Sequence, residues 1–128
     1  MSPVLENPQI VTAIGQIALT ISDLPRAIAF YRDTLGLRFL FETGEMAFFD
    51  CGGVRLMLSK AENPGSTYSS ILYYKTDDIY KASDQLRLRG VAFESEARMI
   101  ARMPDHELWM AFFRDSEGNL VGLMSELR

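Results

Sequence analysis

His106 stands in Pro104-Asp105-His106-Glu107-Leu108-Trp109 as the one histidine of the chain, and imidazole is the side chain that exchanges protons near neutral pH. The carboxylates on either side favour its charged form, and Pro104 marks a connection between elements. Two readings follow: a solvated loop residue, or an acid or base at the rim of a pocket. Cys51, in Asp50-Cys51-Gly52-Gly53, is the one thiol. No lysine, arginine or histidine within three residues lowers its pKa, so the sequence makes it a turn residue and not a nucleophile. Asp115-Ser116-Glu117-Gly118-Asn119 has the composition of a calcium loop, but its spacing and the missing terminal glutamate make it a hairpin turn. Gln16 and Tyr73 are further candidates for proton transfer. No phosphate-binding loop, dinucleotide fingerprint or Ser/His/Asp constellation is present.

These residues need elements to position them. Ile17, Leu19 and Ile21 alternate with Gln16, Ala18 and Thr20, which predicts a half-buried strand over 13–21. Ser22 or Asp23 supplies an N-cap oxygen, Pro25 suits the first turn, and Leu24, Ala27, Ile28, Tyr31 and Leu35 recur at helical spacing up to Gly36. A helix of about three turns is expected there. Strands follow over 37–43, 46–50 and 54–59, separated by Gly44 and by Cys51-Gly52-Gly53. The run 61–69 has the composition of a linker, with Asn63, Pro64, Gly65 and Ser66 in succession. Beyond it the order repeats: a strand over 70–76, a cap at Asp77 or Asp78, a helix face of Ile79, Ala82, Ser83 and Leu86, and a stop at Gly90. Four strand segments complete the count, over 91–94, 99–103, 108–114 and 120–125.

The repeat can be checked residue by residue. Asp23 matches Asp78, Gly36 matches Gly90 after a one-residue slip, Phe48-Phe49 matches Phe112-Phe113, and Gly53 matches Gly118. The expected fold is therefore α+β: two tandem βαβββ modules, 12–60 and 70–126, in a single domain whose concave mixed sheet cups a small molecule. The segment from Gln16 to Leu37, QIALTISDLPRAIAFYRDTLGL, and the closing FFRDSEGNLV of residues 112–121 resemble the vicinal oxygen chelate superfamily, the glyoxalase / bleomycin resistance / extradiol dioxygenase group. This fold hosts lyases, epimerases, dioxygenases, thiol transferases and non-catalytic drug binders, so the resemblance bears on fold more than on activity.

The resemblance implies four ligand positions, one on the first and one on the last strand of each module, filled by His and Glu in metal-dependent members. Here they are Gln16, Met57, Ile71 and Gly122. A shift of two at Met57 would substitute Arg55 or Ser59, and neither restores a ligand set. Catalytic zinc takes about three protein ligands of N, S or carboxylate type, so no metal and no other cofactor is expected, a divalent metal being the alternative. By the same parity Ala18, Thr20, Arg55, Ser59, Tyr73, Lys75, Leu120 and Met124 join them inside the cup, with Trp109, Met110 or Phe112 contributing from the neighbouring strand. Such a wall suits a hydrophobic or aromatic ligand, with Arg55 or Lys75 to meet an anionic group. The ligand-binding set is then Gln16, Arg55, Met57, Ile71, Tyr73, Trp109, Met110, Phe112 and Met124, unless Met57, Ile71 and Met124 simply fill the cup.

Composition bounds the rest. The chain has 128 residues, 48% of them hydrophobic, enough for one ordinary core. A net charge of -4 argues against nucleic acid, although Arg87, Arg89, Arg98 and Arg102 could form a local patch. One cysteine, no leader-like start and no apolar run near the roughly 20 residues that span a bilayer point to the cytoplasm and to no membrane partner. The resemblance also implies a homodimer. A metal-free small-molecule binder is the leading expectation; a superfamily enzyme using Gln16, Tyr73 or His106, or misaligned metal ligands, is the alternative, and an interaction module with a filled cup is the third.

Overall fold

The computed structural model describes residues 14–60 and 70–128; the expected linker 61–69 and the first residues of the first module lie outside the described residues. The first module runs β1 (Gln16–Ile21), α1 (Leu24–Ala29), β2 (Arg38–Thr43), β3 (Met46–Cys51) and β4 (Val54–Lys60). The second runs β5 (Leu72–Lys75), α2 (Ile79–Leu88), β6 (Phe93–Arg102), β7 (Glu107–Arg114) and β8 (Leu120–Leu127). Each module forms its own four-stranded sheet, in the orders β1-β4-β3-β2 and β5-β8-β7-β6. The pairs β1/β4 and β5/β8 are parallel and the others antiparallel, so both sheets are mixed. This is the α+β architecture expected from the repeat.

The helix starts come from single carboxylates. Asp23 Oδ1 accepts from the Arg26 amide at 3.0 Å, and Asp78 Oδ1 accepts from the amides of Tyr80 and Lys81, both at 3.1 Å. The stops come from Gly36 and Gly90, at φ 82° and 92°, a left-handed conformation that costs glycine nothing. Between cap and stop the first helix departs from expectation. After Ala29 it widens into a π-helical turn over Phe30–Thr34, closed by the Leu35 amide on the Phe30 carbonyl at 2.8 Å. No Gly or Pro marks that turn; it carries Phe30 and Tyr31, both of which reach the second module.

A second difference lies in β6. The two short strands expected at 91–94 and 99–103 form one strand, Phe93–Arg102, whose register against β7 shifts three times. Bulges let the polar stretch Ser95-Glu96-Ala97-Arg98 stay in the sheet without keeping strict alternation.

The core lies on the helix side of each sheet. Leu19, Ile21, Tyr31, Phe49, Leu56 and Leu58 are buried under α1, and Ile79, Leu86, Phe113, Val121 and Leu123 are buried with α2. Phe30, Leu35 and Tyr74 pack against both clusters, and the Phe30 and Phe113 rings lie 6.5 Å apart. The modules are also joined through the β7–β8 turn. Tyr31 Oη donates to Asp115 Oδ2 at 2.7 Å. Glu117 accepts from the Ser22 and Asp23 amides, at 3.0 and 2.8 Å, and from Arg26 Nε at 2.7 Å. Among the described residues no helix is long and apolar enough to cross a membrane.

Candidate functional site

Because side chains alternate across a strand, burying one face of each sheet under its helix leaves the other face for function. In the first sheet, register places Ala18, Met57, Phe48 and Phe41 in one row across the four strands. Phe41 stacks on Phe48 at 4.6 Å, and the Arg55 guanidinium lies 5.9 Å from the Phe48 centroid. Gln16 and Met57 touch, Nε2 to Sδ, at 3.8 Å. In the second sheet, Tyr73, Gly122 and Phe112 share a row, with Lys75, Met124 and Met110 in the next. The Tyr73 and Phe112 rings meet edge to face at 5.8 Å.

Of the expected ligand-binding set, Gln16, Arg55, Met57, Ile71, Tyr73, Met110, Phe112 and Met124 thus share the helix-free faces of the two sheets. Trp109 does not. It alternates with Met110, packs with the helix-side core, meets Tyr80 of α2 at 5.4 Å and donates Nε1 to Glu107 at 3.1 Å. Phe41 and Phe48 belong to the same face and were absent from the expected set. The signal that finds them is the β3/β4 register, which puts Phe48 opposite Met57.

The three candidates for proton transfer are not brought together by any hydrogen bond among the described residues. Gln16 sits on the first sheet, Tyr73 on β5, and His106 just ahead of β7. His106 is nevertheless not the solvated loop residue of the first reading, since its side chain is 17% exposed. Its Nδ1 lies 2.7 Å from Asp105 Oδ1 and its Nε2 4.0 Å from Glu126 Oε2. Glu126 in turn lies 3.4 Å from Lys75 Nζ, and Asp105 accepts from Arg128 at 3.1 Å. The cause is parity, because His106, Leu108, Met110 and Phe112 all turn to the helix-free face. Cys51 is not in the turn but is the last residue of β3, opposite Val54; it is partly exposed, and burial, with a smaller push from Asp50, raises its thiol pKa, which does not favour a nucleophile.

The positions that hold metal in the resembling family do not fit one here. Gln16 offers an amide, Met57 a thioether, and Ile71 and Gly122 no donor at all. Among the described residues no three His, Cys, Asp or Glu side chains gather into a group that could hold a metal ion. The Gly122 position is filled from beside it: a Cβ built there would stand 2.5 Å from Tyr73 Cδ2. Glycine is what lets the tyrosine ring lie flat on the sheet. Gly122→Ala is therefore expected to push the ring outward and to cost about 1–2 kcal/mol, the lower part of the range for overpacking, because Tyr73 is part-exposed and can yield. Urea unfolding checks the cost and near-UV circular dichroism the ring; an unchanged spectrum at unchanged stability would contradict this packing.

Comparison with known proteins agrees with this architecture. Residues 13–123 match the model of the Glyoxalase/Bleomycin resistance protein/Dioxygenase superfamily. The chain is 30% identical over 130 residues to the uncharacterized protein YraH of Bacillus subtilis (strain 168), covering 88% of this chain and 97% of the relative. It is 27% identical over 111 residues to the metallothiol transferase FosB of Staphylococcus haemolyticus, covering 87% of this chain and 65% of FosB. Among solved structures, the lactoylglutathione lyase of Agrobacterium tumefaciens superposes with a TM-score of 0.73 at 26% identity, covering 91% of this chain and 96% of that one. The chain belongs to the Glyoxalase/Bleomycin resistance protein/Dioxygenase superfamily.

Proposed function

We propose that this chain is a small-molecule-binding member of the superfamily that works without a resident divalent metal. The observation that carries the reading is the state of the four ligand positions: Gln16 and Met57 touch each other, Ile71 is apolar, and the Tyr73 ring covers Gly122. The helix-free faces replace coordination with aromatic and sulfur surface from Phe41, Phe48, Met57, Tyr73 and Phe112. Such groups hold a flat, apolar ligand, and Arg55 beside Phe48 adds attraction for an anionic substituent. The proposal includes a homodimer. Neither β1 nor β5 has a second strand partner among the described residues, and Leu40, Phe41, Ile71 and Tyr73 are exposed on or beside these faces. A second copy would cover the open edges and close the cup. The lone Cys51 suits the reducing cytoplasm, where it stays a thiol.

The test is metal analysis of protein purified without chelator, paired with thermal-shift titration against Zn, Ni, Mn, Fe(II) and Co, and light scattering for mass. Substoichiometric metal, no stabilisation by any cation and the mass of a dimer are expected. A stoichiometric metal that stabilises by about 3 kcal/mol or more at saturation would overturn the reading. The enzyme alternative would then stand, and the names of FosB and the lactoylglutathione lyase are what favour it.

A further inference from the structure

The repeat makes the β3–β4 hairpin and α2 the counterparts of the β7–β8 hairpin and the first helix, yet the two pairs are built differently. Counted from the phenylalanine pairs, Cys51 occupies in the first hairpin the place of Asp115 in the second. Counted from the caps Asp23 and Asp78, Leu86 occupies in α2 the place that Tyr31 holds in the π-helical turn after α1. Where Tyr31 bonds Asp115 at 2.7 Å, Leu86 and Cys51 have no such bond between them and line an open space instead. A cavity of about 460 Å³ opens there, lined by Cys51 and Leu86 together with Ile17, Leu56, Tyr74 and Arg89 among others. These are helix-side residues, so the cavity lies apart from the aromatic faces described above, touching them only along the edge of β5.

Its chemistry is one-sided. Among the described residues no Asp or Glu lines it, whereas Arg89, Gln85 and Thr76 border it, as does Lys75, whose ammonium pairs with Glu126. Arg89 donates to the Thr34 carbonyl at 2.9 Å and has no carboxylate within ion-pair distance among the described residues. A volume of this size falls in the range of about 300–1,000 Å³ typical of ligand pockets.

We propose that this inter-module cavity is a second ligand site, which takes an apolar monoanion: an alkyl or aryl body against Ile17, Leu56 and Leu86, and an anionic group toward Arg89, with Gln85 and Thr76 as polar neighbours. The acidic chain as a whole repels such a ligand, and this opening is where an arginine with no carboxylate partner among the described residues meets an apolar wall. Nothing in the reading of the aromatic faces is needed for it.

The probe is 8-anilinonaphthalene-1-sulfonate, an aryl monoanion whose fluorescence rises in apolar surroundings, titrated into the full chain. Beside any probe held on the aromatic faces, a saturable site of one probe per chain is expected that is abolished by Ala82→Trp, which fills the cavity, and weakened about tenfold or more by Arg89→Ala, as loss of one charge-assisted contact implies. Saturating probe should also slow alkylation of Cys51 by N-ethylmaleimide in the unsubstituted chain, a readout that does not depend on any variant folding. Absence of saturable binding, full binding by a folded Ala82→Trp chain, or an unchanged alkylation rate would each overturn the proposal. Loss of binding in Phe48→Ala with Arg89→Ala unaffected would put the probe on the aromatic face and overturn it equally.

Discussion

Glu117→Ala is expected to lower the unfolding free energy by about 3 kcal/mol, the low end of what removing one partner from a buried ion pair costs. The low end applies because Arg26 remains 54% exposed and water can solvate it, whereas the Glu117 side chain is 1% exposed. The loss is not confined to the ion pair. Both Glu117 oxygens are used, Oε1 by the Ser22 and Asp23 amides and the Ser22 hydroxyl, Oε2 by Arg26 Nε and the Ser116 hydroxyl. Alanine would leave the amides that lead into α1 without their acceptor, at the seam between the modules. Glu117→Gln keeps one acceptor oxygen and should lose about half as much, since a neutral hydrogen bond is roughly half as strong as a charge-assisted one.

The same group sets a pH dependence. Burial pushes the Glu117 carboxyl up, but hydrogen bonds from Arg26, Asp23 and Ser22 outweigh burial and hold its pKa well below the usual carboxylate range. A depressed folded-state pKa means that the unfolded chain binds the proton first. The stabilisation is therefore complete above the unfolded value of about 4.3 and shrinks steadily as the pH falls below it. Urea unfolding at pH 7 and pH 4 should show the difference between the natural chain and Glu117→Gln narrowing at the lower pH. A Glu117→Ala chain within about 0.5 kcal/mol of the natural one at pH 7 would contradict a supporting role for this seam, being no larger than an ordinary surface change.

Glu117 also shows where sequence reading stops. The turn Asp115-Ser116-Glu117-Gly118-Asn119 was legible as a hairpin turn because its chemistry is local: Asp115 Oδ1 accepts from the amides of Glu117 and Asn119, both at 2.8 Å. That the same turn reaches Ser22, Asp23 and Arg26 depends on how two modules pack, and no periodicity encodes that. The helix caps and glycine stops were legible for the same local reason, and the phenylalanine pairs gave the repeat. The π-helical turn at Phe30–Thr34 was not: no Gly or Pro marks it, and the contacts its residues make, to Phe113 and Asp115, lie far off in the sequence. The candidate site divides along this line. Parity placed Gln16, Arg55, Met57, Tyr73 and Met124 on one face, but it was not carried to the neighbouring strand, where Trp109, Met110 and Phe112 stood as alternatives although Trp109 must face away from the other two. Phe48 was recognised as half of a repeat marker and not as part of the site, because only the register with β4 reveals which way it turns.

That direction can be measured. Phe49 is fully buried, with its ring edge-on to Phe39 at 5.4 Å and tilted against Tyr31 at 6.2 Å. Phe49→Ala leaves a closed cavity in the core and should cost about 3–5 kcal/mol. Phe48 is almost as buried, at 8% exposure, but what covers it is Phe41, itself 46% exposed, and the Arg55 side chain. Removing the Phe48 ring lets those two side chains settle and water enter, so Phe48→Ala should cost less, about 1–2 kcal/mol. Two neighbouring phenylalanines of nearly equal burial are thus expected to differ by roughly 2 kcal/mol in urea unfolding, since only one leaves a cavity that cannot collapse. Ligand binding to the helix-free face should fall in the reverse order, since Phe48 forms its floor and Phe49 does not touch it. Equal losses of stability would mean that the face carrying Phe41, Phe48 and Arg55 is covered as tightly as the core. A second protomer seated on that face would cover it so, and the mass of the protein in solution, read beside the two variants, tests for it.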